Sequence, residues 1–211
     1  MQDDPFTPLF IAPGHAQARP LAGLTLLLVE DSRVSAEALR LICQRGGARL
    51  RRADTIRAAR RHLQVYVPSA VLVDIGLPDG SGLDLIAEIA GRGTRLSVLA
   101  TSGDEGAEPA ARAAGAAGFI AKPVGGISGL CAALAAALPE ELASPAMREA
   151  ATLRQVAPAR PLADRTALSD DLEAAEQMLP DASHDPARAA YLAQFLGSVA
   201  RVCGDDALGE A

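Results

Sequence analysis

The chain has 211 residues, a formal net charge of −6 and an isoelectric point near 5.1, and 49% of its residues are hydrophobic. This acidic balance argues against nucleic acid as the main partner, because phosphate binding requires clustered positive charge. Three widely spaced cysteines do not fit a disulfide framework or a zinc site. The lack of a run of about 18 apolar residues excludes a membrane span, so we expect a cytoplasmic protein.

The first 21 residues have the composition of an irregular segment. Four prolines and one glycine interrupt them, and neither a two-residue nor a 3.6-residue hydrophobic period is present. We therefore expect residues 1–21 to form a flexible N-terminal arm.

Strand-like and helix-like patterns then alternate five times, with short connections between them. The predicted strands cover residues 24–29, 49–53, 70–73, 96–100 and 118–121, and the predicted helices cover residues 34–43, 55–63, 83–90, 108–114 and 127–138. Such alternation is typical of parallel strands joined by right-handed crossovers, with helices on both faces of the sheet. We predict an α/β domain over residues 22–142, built on a doubly wound parallel sheet of five strands.

The third predicted strand ends at a carboxylate that a glycine-rich loop follows. Asp74 closes the apolar run of residues 70–73, and residues 75–82 contain three glycines and a proline. Open α/β sheets place their ligand sites at this end of the strands. The alternative is that Asp74 only caps the next helix or begins a turn.

Polar residues also follow three other strands of the predicted sheet. Glu30 and Asp31 follow the first strand, Thr101 follows the fourth and Lys122 follows the fifth. Parallel strands end at one edge of a sheet, so these residues should lie near Asp74. Neighbouring carboxylates repel one another, and Mg²⁺ relieves that repulsion while leaving room for a phosphate. A hydroxyl and an ammonium group suit the remaining phosphoryl oxygens.

Lys122 is the one lysine among 20 basic residues, and all the others are arginine. A lysine at this position indicates that the site requires a compact ammonium group and not the broad guanidinium group of arginine. The alternative is that its position is due to chance.

With these residues in place, the chain from residue 22 to about residue 140 resembles the receiver domain of two-component response regulators. The resemblance rests on Glu30-Asp31, the stretch 74–82, Thr101 and Lys122-Pro123, in that order. It implies a CheY-like receiver with a flavodoxin-like fold. It also implies that Asp74 accepts a phosphoryl group from a sensor histidine kinase or a histidine phosphotransfer protein.

The same resemblance implies a role for each residue around the phosphoacceptor. Asp31 and Asp74 would bind Mg²⁺ directly, Glu30 mainly through water, and the backbone carbonyl of Gly76 would be a further ligand. Catalysis would then lie in positioning and charge neutralisation.

The resemblance also implies a route from the site to the surface. Thr101 and Lys122 would hold the phosphoryl oxygens, and Phe119 falls where the family has an aromatic switch residue. Phosphorylation would act through Thr101 and Phe119 on the surface around the fourth helix and fifth strand.

Two features depart from the family's pattern. Gly76 and Gly103 stand where the family usually has side chains that steer the hydrolytic water, so we predict a long-lived phosphorylated state. Residues 104–117 are rich in glycine and alanine, which predicts a mobile or reshaped signalling face.

The pattern of residues 143–211 predicts a linker and two helices. Residues 143–165 have the prolines of a linker and a helical pattern near residues 146–156, and we predict an α-helical extension over residues 166–211. One predicted stripe comprises Leu168, Leu172, Ala175, Met178 and Leu179, and the other comprises Leu192, Phe195, Leu196, Val199 and Cys203. Such short amphipathic helices must pack on each other, on the receiver, or on a second copy or partner.

The acidic tail favours an output through protein contacts. From residue 143 onward there are 6 arginines against 11 acidic residues, a net charge of −5, which argues against a DNA-binding output. Asp185-Pro186 places His184 in a turn, which argues against a histidine phosphotransfer module. A homodimer could form through the C-terminal helices or through the face of the fourth helix and fifth strand.

No output enzyme domain is recognised, so we expect a phosphoacceptor and not an enzyme. Two alternatives stay open. One is a receiver-like binding scaffold that is not phosphorylated. The other is the receiver of a longer protein whose output domain is truncated at residue 211.

Overall fold

The central sheet contains five parallel strands in the order β2-β1-β3-β4-β5. The computed structural model describes residues 19–93, 95–153 and 164–204, so nearly all of the predicted arm lies outside the described residues. The strands are β1 (Thr25–Val29), β2 (Arg49–Ala53), β3 (Ala70–Asp74), β4 (Ser97–Ser102) and β5 (Gly118–Ala121). A two-residue antiparallel pair, Gly76–Leu77 with Gly80–Ser81, follows β3.

Helices connect and cover these strands. Over the described ranges they are α1 (Arg33–Gly46), α2 (Ile56–Val65), α3 (Gly82–Gly91), α4 (Glu108–Ala113), α5 (Gly126–Ala137), α6 (Pro145–Thr152), α7 (Arg165–Ala182) and α8 (Pro186–Cys203). The predicted α/β fold with a five-stranded parallel sheet and C-terminal helices is confirmed, and most element ends lie within two or three residues of the predicted ones.

Two apolar layers enclose the sheet, because alternate side chains of each strand point to opposite faces. On one face Leu26 and Leu28 join the layer under α1, α5 and α6. On the other face Leu27 and Val29 join the layer under α2, α3 and α4. All residues of β3 are buried, as expected for the central strand of a sheet covered on both faces.

Helix α1 has specific signals at both ends. Ser32 is its N-cap, and its hydroxyl accepts a hydrogen bond from the amide of Ser35. Gly47 ends the helix with φ +85°, a left-handed conformation that glycine adopts without strain. These signals fix where the chain leaves β1, and therefore where Glu30 and Asp31 lie.

The segment predicted as linker begins with a helix that belongs to the receiver core. Helix α6 packs against α5, and its Met147 is fully buried in the layer that also contains Leu130 and Leu134. Residues 154–163 lie outside the described residues. Leu21, at the end of the predicted arm, is also fully buried, and its amide donates to the carbonyl of Gly46 at 2.8 Å.

Helices α7 and α8 form an antiparallel hairpin that packs on itself and on α1. Ala175, Leu192, Phe195 and Val199 form the buried contact between the two helices. The predicted stripe of α7 is wrong at Leu172 and Leu179, which are 39% and 53% exposed. The helix is rotated away from that stripe because Asp171, at 3% exposure, faces the receiver.

Across the ranges the structure describes, none of the helices combines the length and apolar character needed to cross a membrane.

Candidate functional site

The carboxyl edge of the sheet gathers three carboxylates and one ammonium group. Lys122 Nζ lies 2.5 Å from a carboxylate oxygen of Glu30 and 3.1 Å from one of Asp74. Glu30, Asp31 and Asp74 each place a carboxylate oxygen within 4.8 Å of the others. Glu30, Asp74 and Lys122 are 2%, 6% and 8% exposed. The structure therefore brings together four of the residues selected from the sequence.

Strand register explains this convergence. In the parallel pairing, Asp74 at the end of β3 is the partner of Thr101 in β4. Glu30 continues from β1, where its amide donates to the carbonyl of Ala53 at 2.9 Å. Because all five strands run the same way, every residue at a strand end reaches the same edge.

The electrostatics of the site are those of a carboxylate cluster with too little positive charge. Burial raises the pKa of Glu30 to about 7, with the charge of Asp74 adding to it and Lys122 opposing it. Burial raises the pKa of Asp31 to about 6, and the charge of Glu30 contributes next. Burial also raises the pKa of Asp74. A second cation is therefore favoured here.

Lys122 stays charged in this environment. Burial by itself would lower its pKa, but the charges of Glu30 and Asp74 outweigh burial and raise the pKa above its ordinary value. The ammonium group is therefore a fixed positive charge beside the Asp74 carboxylate.

Thr101 presents a buried hydroxyl that has no hydrogen-bond partner among the described residues. An unpaired buried hydroxyl is costly, and such exceptions occur where a ligand, ion or water completes the site. Thr101 lies beside Asp74 in the sheet, so its hydroxyl is available to an oxygen atom bound there.

Phe119 lies on β5 and is partly buried, in the layer under α3 and α4. Its register partner on β4 is Ala100, the residue before Thr101. A shift of Thr101 would therefore change the packing next to the Phe119 ring. The switch role of Thr101 and Phe119 stays a prediction.

The donor set fits Mg²⁺. Hard cations of this kind prefer oxygen ligands, and the cluster offers three carboxylates, while Thr101 provides the unpartnered hydroxyl. Gly76 lies two residues after Asp74 and pairs with Ser81 in the short antiparallel ladder. Its carbonyl as a metal ligand stays a prediction.

Sequence reasoning missed the side chains of α8 at this edge. The Tyr191 hydroxyl donates a hydrogen bond to the carboxylate of Asp31, and Ser198 accepts a hydrogen bond from Lys122 at 3.3 Å. Gln194 and Arg201 lie on the same face, above Gly76 and Gly103. A signal was present in the chain, because positions 191, 194, 198 and 201 recur at helical spacing beside the apolar stripe.

Comparison with known proteins shows which family has a sequence similar to this chain. The family model described as "Response regulator receiver domain" matches residues 26–135, just over half of the chain. The KDP operon transcriptional regulatory protein KdpE of Escherichia coli K12 is 31% identical over 101 residues, which are 47% of this chain and 45% of KdpE. The virulence transcriptional regulatory protein PhoP of Salmonella typhimurium LT2 is 30% identical over 102 residues, with 47% of this chain and 46% of PhoP covered.

A solved structure of a response regulator from Chloroflexus aurantiacus is 32% identical, with a TM-score of 0.45, and the match covers 47% of this chain and 85% of that one. The matched region thus spans less than half the length of the two curated relatives. The family match includes the three carboxylates of the acidic cluster, Thr101 and Lys122. The chain belongs to the response regulator receiver domain family.

Proposed function

We propose that the chain accepts a phosphoryl group on Asp74 from a phosphohistidine of a sensor histidine kinase or a histidine phosphotransfer protein. The observation that carries this proposal is the pairing of the buried Asp74 carboxylate with Lys122 at 3.1 Å, beside two further carboxylates and the free Thr101 hydroxyl. In the transfer, an Asp74 oxygen forms a bond to phosphorus, the bond from phosphorus to the imidazole nitrogen breaks, and the partner's histidine leaves.

The residues of the chain would contribute position and charge to this reaction. Lys122 and the Thr101 hydroxyl would each hold a phosphoryl oxygen, so that charge developing on these oxygens meets an ammonium group and a hydrogen-bond donor. Glu30 holds Lys122 in place from the other side, at 2.5 Å. Such positioning accounts for most catalysis of phosphoryl transfer.

Mg²⁺ is the proposed cofactor, held by Asp31 and Asp74 directly, by Glu30 mainly through water, and by the Gly76 carbonyl. When bound, it would neutralise charge shared by the carboxylates and the transferred group. The three carboxylates that lie within 4.8 Å of one another support this assignment.

The proposed output is a contact with another protein in the cytoplasm, through the surface that Thr101 and Phe119 adjoin or through the C-terminal helices. KdpE and PhoP are named transcriptional regulatory proteins, but the match to them covers less than half of each. After residue 143 this chain has 11 acidic residues and 6 arginines, a balance that disfavours DNA as a partner.

Intact mass spectrometry with a small phosphodonor and Mg²⁺ tests the phosphoacceptor. We expect the gain of one phosphoryl group in the wild-type chain, no gain in Asp74→Asn, and no gain without Mg²⁺. The absence of any gain in the wild type and also in Asp171→Ala, which lacks the contact of α7 with the start of α1, would overturn the proposal. That result would favour a receiver-like binding scaffold.

A further inference from the structure

Helix α8 lies across the edge of the sheet at which phosphorylation would occur. Its Tyr191 hydroxyl donates to the carboxylate of Asp31, which is a proposed metal ligand. About two helical turns further along, Ser198 accepts a hydrogen bond from Lys122 at 3.3 Å. Two groups needed by the phosphoryl transfer are thus already paired with side chains of the C-terminal hairpin.

The two glycines of the site leave space that α8 fills. A side chain at position 76 would begin 2.5 Å from the amide nitrogen of Gln194. A side chain at position 103 would begin 2.5 Å from Cζ of Arg201. Both α8 side chains are exposed and flexible at their ends, so the glycines permit the close approach of α8 without requiring it.

Asp171 of α7 attaches the hairpin to the start of α1. Its carboxylate accepts three hydrogen bonds, from the hydroxyl of Ser32 at 2.8 Å and from the amides of Arg33 and Val34 at 2.8 and 3.0 Å. A carboxylate at a helix N-terminus also interacts favourably with the helix dipole. Val34, Ala167 and Val202 add a buried apolar contact between the hairpin and α1.

Asp74 is nearly closed to solvent in the resting chain, at 6% exposure. The nearby cavity of about 30 Å³ borders Glu30, Thr101 and Lys122, but four of its lining residues belong to α1, one belongs to α8, and Asp74 does not line it. A phosphohistidine of a partner protein needs a direct approach to the Asp74 carboxylate, and an exposure of 6% does not provide one.

We propose that the α7–α8 hairpin is an intramolecular ligand of the phosphorylation site, which covers Asp74 in the resting chain and must leave before Asp74 is phosphorylated. This inference rests on the proposed function of Asp74. The hairpin and the phosphodonor compete for one surface, so phosphorylation in turn releases the hairpin. Release would expose polar and apolar side chains of α7 and α8 to other proteins.

The variant Asp171→Ala tests the attachment, and Asp170→Ala is its matched control. Asp170 is the adjacent acid, and its ion pair with Arg33 also joins α7 to α1, but it lies at the surface, where such pairs contribute little. We expect Asp171→Ala to gain the phosphoryl group at least about tenfold faster than the wild type, because it loses three hydrogen bonds to a charged group and one such bond alone corresponds to about that factor. Asp170→Ala should react at the wild-type rate.

Hydrogen exchange of the same proteins shows whether the hairpin has moved. Amides of α7 and α8 should exchange faster in Asp171→Ala and in the phosphorylated wild type, while amides of β1 and β3 stay protected. An unchanged phosphorylation rate in an Asp171→Ala protein whose α7–α8 amides exchange fast would overturn the covering role. Undiminished protection of those amides in Asp171→Ala would also overturn the proposal.

Binding of Mg²⁺ separates failure of this inference from failure of the phosphoacceptor. Tyr191→Phe removes only the hydroxyl that occupies Asp31, and we expect it and Asp171→Ala to bind Mg²⁺ more tightly than the wild type by calorimetry. If no protein is phosphorylated but both variants bind Mg²⁺ more tightly, the covering role stands and the phosphoacceptor fails. If all three proteins bind Mg²⁺ equally, the covering role fails.

Discussion

The Asp171 carboxylate accepts a hydrogen bond from the hydroxyl of Ser32 at 2.8 Å, although 139 positions separate the two residues in the chain. Ser32 caps α1 and directly follows Glu30 and Asp31, so the C-terminal hairpin is attached to the loop that carries two of the three carboxylates. Any movement of that loop on binding a cation or a phosphoryl group therefore acts on the hairpin. The acidic cluster and the C-terminal hairpin are thus connected through residues 32–34 at the start of α1.

Removal of the Lys122 charge should destabilise the folded chain. Glu30 and Asp74 would lose the ammonium group that lies 2.5 and 3.1 Å from them, in an environment nearly closed to water. We expect Lys122→Met to lower the free energy of unfolding by about 3–5 kcal/mol without Mg²⁺, the usual cost of leaving a buried charge unpaired. Added Mg²⁺ should recover part of the loss, which denaturant titration with and without the ion measures.

The control for Lys122 is Arg112→Ala on α4. Arg112 pairs with Glu108 at the surface, where the two side chains are 49% and 47% exposed. Exposed pairs of this kind contribute about 0.3–0.5 kcal/mol, and the exposed hydrogen bond from Arg112 to the carbonyl of Ala117 contributes about 0.5–1.5 kcal/mol, so the variant should lose clearly less stability than Lys122→Met. A Lys122→Met protein as stable as this control would contradict the electrostatic account of the site.

Gly82 should not tolerate a side chain, because it begins α3 directly against the backbone at the end of β3. A β-carbon there would lie 2.9 Å from the carbonyl carbon of Asp74 and from Cα of Ile75, and backbone atoms cannot move aside cheaply. We expect Gly82→Ala to cost about 1–3 kcal/mol in unfolding free energy. Gly91 ends the same helix with open space around it, so Gly91→Ala should be neutral or stabilising by up to about 1 kcal/mol. Equal stability of the two variants would contradict this.

The receiver and its acidic edge could be predicted from the sequence because each follows from local patterns. Apolar runs and helical periods predict the alternating elements, and parallel strands bring their carboxyl ends together whatever the details of packing. Glu30, Asp74 and Lys122 therefore lie where expected.

The position of the hairpin could not be predicted, because it depends on contacts between distant parts of the chain. The apolar stripe of α7 suggested that Leu172 and Leu179 face inward, whereas the Asp171 contact with the start of α1 decides the rotation of the helix. The absence of side chains at Gly76 and Gly103 suggested only a slow loss of phosphate, and it gave no indication that α8 lies above both.

Two of the cysteines should be unreactive in the folded chain. Burial raises the pKa of the Cys43 thiol to about 12 and that of Cys131 to about 11, so almost no thiolate exists at neutral pH. We expect a thiol reagent to modify neither residue under native conditions and both in denaturant, as peptide mass mapping would show. Rapid modification of either one in the folded chain would show that the layer under α1 and α5 opens readily.

Met147 should contribute to the stability of the receiver, although it lies in the segment whose composition predicts a linker. Its side chain is fully buried in the layer with Leu130 and Leu134. We expect Met147→Ala to lower the free energy of unfolding by about 2–5 kcal/mol, because the substitution removes apolar contacts and leaves a cavity. Leu153 follows the same helix and is 64% exposed, so Leu153→Ala should change stability by no more than about 0.5 kcal/mol. Chemical denaturation of the two variants measures the difference, and a Met147→Ala chain as stable as Leu153→Ala would mean that α6 is not part of the cooperative core.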